Sequence, residues 1–292
     1  MNLKQLISVP RILGIVLIIL AVLVYQTQGF LRTALLAIVG LVLMLTPTHR
    51  ATAHWWAFLN SWRLKKEFVF MMLFDILFWV VLAILTLIMA NVLQSPTEQL
   101  KTINTASFNI GAITSYNAII ESFFITAIIT FVVFWLLTVI AYSFSRGLIW
   151  LTLLEKPMHT PFFIRFSLLN LIWCTIWTFL IILFMITMVP PISAVMFVLM
   201  MLLYAHLTTI LHYSYTKTRA FGKAVKDAFG IGLGMLARFV HPYCYLFIVY
   251  VILSQFTRFV QGNTLLVVTF IVFLVFMAWY RTYLRNILRH IA

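Results

Sequence analysis

Residues 68–93 read FVFMMLFDILFWVVLAILTLIMANVL, and this stretch decides the fold. It holds one charged residue, Asp75, and no proline. A hydrocarbon core of ~30 Å takes about 20 apolar residues of helix, so the stretch is long enough to cross a bilayer. The whole chain agrees with it. Of 292 residues, 64% are hydrophobic and 9% charged, where a soluble domain keeps ~25% charged to wet its surface. A water-soluble globule is excluded, and an integral membrane protein is implied.

Outward from this run, similar runs lie at about 12–27, 30–46, 118–142, 167–189, 192–212, 241–257 and 264–282. The expected fold is all-α, a single integral membrane domain over residues 1–292 with about eight transmembrane helices. The first two runs are short and parted at Gly29, which predicts either a tight hairpin or a re-entrant pair. A proline removes a backbone donor and clashes inside a helix. The segmentation accordingly sets all eight prolines, Pro96 and Pro242 among them, at helix ends or in connections. Lys4 and Arg11 ahead of the apolar run Ile12 to Tyr25 look like the start of a signal peptide. The following Gln26-Thr27-Gln28-Gly29 offers no small-residue cleavage site, so the segment reads as retained.

Lys and Arg accumulate on the cytoplasmic side of membrane helices. Assigned to alternate connections, seventeen of the twenty fall on one side, against Arg32, Lys101 and Arg258 on the other. Both termini are therefore expected in the cytoplasm, with the chain in the cell membrane behind a strongly basic cytoplasmic face. The net charge of +14 comes with no RNA- or DNA-binding motif, so nucleic acid is not an expected partner. Anionic lipid headgroups are, each nearby Lys or Arg contributing about 1 kcal/mol of attraction. A soluble protein on the cytoplasmic side is the second candidate partner.

Three connections on that side look like helices lying in the headgroup layer. From Thr52 to Lys66, Trp55, Phe58, Leu59 and Trp62 recur at spacings of three and four residues, and Trp56, Arg63, Lys65 and Lys66 complete an aromatic, basic surface. From Ser143 to Arg165 the idea repeats with Leu148, Ile149, Trp150 and Leu153 before Pro157. From Thr216 to Arg238, Phe221, Val225 and Phe229 form one stripe, with Ala220, Ala224 and Ala228 beside it and Lys223 and Lys226 on the polar side. Gly230-Ile-Gly-Leu-Gly234 lacks the preceding strand and the spacing of a phosphate-binding fingerprint. It reads instead as a flexible break where a surface helix turns into the membrane.

The second and third connections share an order: amphipathic helix, break, then an arginine beside aromatics, Phe163-Ile-Arg165-Phe166 and Arg238-Phe239. Diverged internal repeats leave such a trace. With Ala220 to Phe239 entering an apolar segment after a long Met-rich span, roughly the last two-thirds of the chain resembles small archaeal and bacterial multi-pass families. The membrane domain attached to some glycerophosphodiester phosphodiesterases is among them. These families share no established activity, so the resemblance implies a helical membrane domain and assigns no functional residue. No phosphodiesterase catalytic domain accompanies it in the sequence.

An intramembrane charge costs about 2.5–3.5 kcal/mol on insertion scales, which makes Asp75 the first place to look for function. It lies about two turns inward from the basic rim. Either it locks the bundle together, by pairing with a rim cation such as Arg146, Arg165 or Arg238 or by accepting bonds from Thr and Asn on a neighbouring helix, or it serves as a proton or cation site in a transport path. Asn170, Cys174 and Thr178 form an i, i+4, i+8 stripe that fits helix packing. His206 sits in the sixth run, six residues from His212 and on a different face. His241 and Cys244 are three apart, with too few further ligands for a zinc site. No metal, cofactor or catalytic residue is expected.

Motifs for other classes are missing. Gly-x-Ser with a histidine partner, HExxH, clustered aspartates for magnesium and a Walker sequence do not occur. A non-enzymatic scaffold or accessory subunit, binding headgroups or a partner through its basic face, is the favoured expectation. The alternative is a transporter or permease subunit with Asp75 and the stripe Asn170, Cys174 and Thr178 in its pathway.

Overall fold

The computed structural model describes residues 11–19, 30–45, 48–62, 66–103, 110–256 and 264–291. Regular structure among them is helical throughout. The elements are α1 (residues 11–19), α2 (Phe30–Leu45), α3 (Thr48–Ser61), α4 (Lys66–Ile103), α5 (Ile110–Leu153), α6 (Thr160–Thr187), α7 (Pro190–Thr218), α8 (Phe221–Gly232), α9 (Leu236–Phe256) and α10 (Thr264–Ile291). Six contain stretches long and apolar enough to cross a membrane: Lys66–Lys101, Asn117–Leu153, Thr160–Thr187, Ile192–Thr218, Leu236–Leu253 and Thr264–Arg289. They coincide with the last six runs read from the sequence. In place of the first two stand α1 and α2, shorter helices whose intervening residues 20–29 lie outside the described ones.

Two expectations give way. Pro96 and Pro242 lie inside α4 and α9 and not at their ends. Membrane helices carry such prolines where neighbouring groups satisfy the backbone left without a donor. Ser143 to Leu153 is no separate surface helix either. It forms the last turns of α5, and Ile149, Trp150, Leu151 and Leu153 are buried. Apolar residues around the whole circumference read like an interfacial stripe when the continuous span behind them is cut too early. The break after α8 is present as a turn at residues 233–235.

Two helix ends use a left-handed residue that is not glycine. Glu155 has φ 53° and Arg219 φ 57°. After Glu155 the chain closes with Lys156 N–H donating to the Leu151 carbonyl at 2.9 Å, and Arg219 N–H donates to the Tyr215 carbonyl at 2.6 Å. These bonds satisfy carbonyls that a helix end leaves open.

The chain forms two compact units, Leu73–Ala205 and the combination of Met1–Met72 with His206–Ala292. In the two-segment unit, α2 packs on α9, α3 on α9 and α10, and α9 on α10. The backbones of α1 and α2 touch: a Cβ on Gly14 would stand 2.6 Å from the Gly40 carbonyl oxygen, and one on Gly40 2.7 Å from that of Gly14. Small residues admit such approach between apolar helices. In the Leu73–Ala205 unit the main packing is α5 on α6. Charge divides unevenly. The two-segment unit holds sixteen of the twenty Lys and Arg and two of the six acidic residues, Glu67 and Asp227, so the whole net charge belongs to it.

Candidate functional site

In the Leu73–Ala205 unit, polar side chains of α4 and α6 meet those of one stretch of α5. Tyr142 and Arg146, one turn apart, face α4, where Arg146 Nη1 donates to Asp75 Oδ1 at 2.5 Å. The guanidinium carbon also lies 5.2 Å from the Tyr142 ring centroid and 5.6 Å from that of Phe78, within range of cation–π attraction. Ser145 donates to the Phe74 carbonyl at 3.0 Å. On the α6 side, Asn170 donates to Ser143 Oγ at 3.1 Å, and Ser143 to the Val139 carbonyl at 2.6 Å. Cys174 lies 3.2 Å from the Tyr204 hydroxyl. Thr178 is half-buried.

Asp75 thus sits in an ion pair, 1% exposed, and of the three arginines named as candidates it takes Arg146. The pair leaves no net charge in the apolar layer, and the guanidinium shares it with two ring faces. The arrangement is chemically a joint: Asp75–Arg146 and Ser145 tie α5 to α4, and Asn170 ties α6 to α5. A carboxylate tied to a guanidinium is a poor proton carrier.

His206 belongs to the two-segment unit. Its Nε2 lies 3.0 Å from the Gly232 carbonyl, which only accepts, so Nε2 carries the proton and Nδ1 accepts from the Tyr243 hydroxyl. A Cβ on Gly232 would stand 2.5 Å from Leu207 Cδ2, so glycine is what lets α8 approach α7 there. Ser214 donates to Asp227 Oδ2 at 2.5 Å, a second tie between α7 and α8. Sequence reading missed Tyr204, Tyr243 and the Ser214–Asp227 bond; no periodicity marks a tyrosine or serine as the partner of a residue on another helix.

The expected surface residues divide. Trp55 and Phe58 turn inward: Phe58 stacks on Trp55 and meets Tyr245, Trp279 and Tyr283 at 5.0–6.0 Å between ring centroids. Trp62 stacks on Trp279 at 5.0 Å, and Trp279 Nε1 donates to Ser61 Oγ at 2.8 Å. Of the stripe predicted to face headgroups, Trp55 and Phe58 therefore pack against rings of α9 and α10, while Leu59 and Trp62 stay exposed, Trp62 even as it stacks on Trp279. Trp56 stays outside at 59% exposure, and Lys66, Lys223 and Lys226 are exposed; Arg63 and Lys65 lie outside the described residues. On α8 the small stripe Ala224, Ala228 and Gly232 is buried, while Phe221 and Phe229 are exposed.

His241 is buried with neither ring nitrogen hydrogen-bonded, its ring centroid 5.3 Å from that of His54. Among the described residues no group of three or more His, Cys, Asp or Glu is placed to hold a metal ion. Six long apolar helices and side chains that join them define a multi-pass helical membrane protein. No protein-family model, curated protein or solved structure matches the chain.

Proposed function

We propose that this chain is a non-enzymatic scaffold or accessory subunit of the cell membrane, one that engages anionic headgroups or a soluble partner through a basic cytoplasmic face. The observation that carries it is the uneven charge: a unit built from both ends of the chain holds the entire net charge of +14. In this reading both termini are cytoplasmic, α1 and α2 complete a count of eight crossings, and α3 and α8 lie in the headgroup layer. Exposed Phe221 and Phe229 beside exposed Lys223 and Lys226 suit that layer on α8. The resemblance to multi-pass families of archaea and bacteria fits the same picture.

The pairing of Asp75 with Arg146 supports a structural role for the carboxylate over a place in a transport path. Purified protein reconstituted in nanodiscs tests the proposal. Lys223→Glu with Lys226→Glu replaces two attractions of about 1 kcal/mol each by repulsions, so enrichment of anionic over zwitterionic lipid around the protein falls clearly. Equal enrichment would overturn the role of α8. Proton- or solute-coupled flux that vanishes in Asp75→Asn would favour the permease reading instead.

A further inference from the structure

Three polar side chains packed against α3 in the two-segment unit make no hydrogen bond. His241 is 4% exposed, Tyr245 1% and Tyr283 0%, and neither ring nitrogen of His241 nor either tyrosine hydroxyl is bonded. Ring contacts tie all three to α3. Between centroids, His241 lies 5.3 Å from His54, Tyr245 5.9 Å from Trp55 and 5.0 Å from Phe58, and Tyr283 6.0 Å from Phe58. His241 and Tyr245 are themselves 5.0 Å apart. A buried polar group left unbonded keeps the full cost of leaving water. Docking of α3 therefore gains contact between rings and forgoes the hydrogen bonds of the groups it covers.

His241 also has no carboxylate to meet when it takes up a proton. No Asp or Glu occurs in α1, α2, α3, α9 or α10. Facing its ring are His54 from α3 and Tyr245 from the next turn of α9. The other ionisable residues of the helices packed on α9 are Arg32 in α2, His49 and Arg50 in α3, and Tyr280, Arg281, Tyr283, Arg285, Arg289 and His290 in α10. Helix α9 itself adds Arg238, Tyr243, Cys244 and Tyr250. His206 of α7 meets α9 at Phe239 and Tyr243, two residues to either side of His241 and so on its far face. None of these groups is an anion near neutral pH, so an imidazolium among them is a desolvated, unpaired charge. We propose that α3 is a strap released by acid: protonation of His241 frees it from α9 and α10 and uncovers Tyr245 and Tyr283. The released helix has a place to go, since Trp55, Phe58 and Trp62 form the aromatic side of an amphiphile suited to the headgroup layer. Above the range of a free imidazole the ring is neutral and α3 stays docked; docking weakens as pH falls below it. The device is independent of the lipid attraction assigned above to Lys223 and Lys226.

The test uses the full chain in nanodiscs of zwitterionic lipid, with hydroxyl-radical labelling of side chains read by mass spectrometry at about pH 8 and about pH 5. Labelling of Phe58, Tyr245 and Tyr283 is expected to rise on acidification. The ratio of released to docked chains should increase by up to about thirtyfold, the factor for an imidazole that titrates near roughly 6.5 only once released. Trp173, buried on α6, should stay protected at both pH values. A parallel rise there would mean acid unfolding of the whole chain and would overturn the strap. His241→Leu and His241→Gln should each hold α3 docked at both pH values. Two replacements are used so that, where thermal unfolding at about pH 8 shows one to be misfolded, the other decides. His54→Leu should keep the acid response. Unchanged labelling of the wild-type protein, a response that survives the folded His241 variants, or one that vanishes only in His54→Leu would each overturn the role of His241.

Discussion

Asp75 and Arg146 stand 71 residues apart in the chain and share one ion pair, with the Arg146 guanidinium also close to the rings of Phe78 and Tyr142. Removing one partner strands the other charge in an apolar layer. Asp75→Ala or Arg146→Met alone is expected to destabilise the protein by about 3–5 kcal/mol, while the double variant Asp75→Leu with Arg146→Met costs far less than the two singles together. Denaturation in mixed micelles measures the cycle. Additive losses would mean that the pair is not a unit.

The meeting of Gly14 with Gly40 leaves no room for a methyl group, since the atoms at 2.6 and 2.7 Å are backbone carbonyl oxygens. Gly14→Ala and Gly40→Ala should each cost about 1–3 kcal/mol through forced separation of α1 from α2. Gly222 is the internal control. Nothing lies within 4 Å of a Cβ built there, so Gly222→Ala in α8 should stabilise by roughly 0.5–1 kcal/mol. Thermal unfolding in one detergent reads all three, and a Gly222→Ala loss equal to the others would remove the steric explanation.

Glu155 and Arg219 hold left-handed backbone at about 1–2 kcal/mol each relative to an ordinary conformation. Replacing either by glycine lifts that strain against roughly 0.5–1 kcal/mol of added chain entropy, for a small net gain. Valine at either place should be worse than the native residue. An order of stability with valine above glycine would contradict the conformation.

His206 ties the end of α8 through the Gly232 carbonyl while accepting from Tyr243. His206→Leu should release the turn at residues 233–235, seen as faster amide hydrogen exchange there and at the end of α8. Tyr243→Phe keeps the Gly232 bond and should leave exchange at the turn closer to wild type. Equal acceleration in both variants would place the tie elsewhere.

The spans at the centre and end of the chain were legible because composition alone marks them: the run around Asp75 can be nothing but buried or in lipid. Partners were not legible. Arg146 was one of three arginines at a suitable depth, and only the register of α5 against α4 selects it. On α3, spacing correctly put Trp55, Phe58 and Trp62 on one face, yet spacing says nothing about what that face meets. The same holds on α8, where the alanines beside the phenylalanine stripe, and not the phenylalanines, form the packed side, because small residues let two helices come close. Ser143 to Leu153 was misread since Leu148 to Leu151, four consecutive apolar residues, cover the whole turn and leave no polar stripe to show where the span ends.

The hydrogen bond from Trp279 to Ser61 spans 218 residues of chain. A ribosome adding about 5–20 residues each second takes on the order of ten to forty seconds to travel between them. The segment Leu73–Ala205 is continuous and can assemble within that interval, while the aromatic face of α3 waits for a partner not yet made. During synthesis, then, Trp55, Phe58 and Trp62 are made long before the rings of Tyr245, Trp279 and Tyr283 that they meet in the folded unit, and that unit closes only once α9 and α10 have followed.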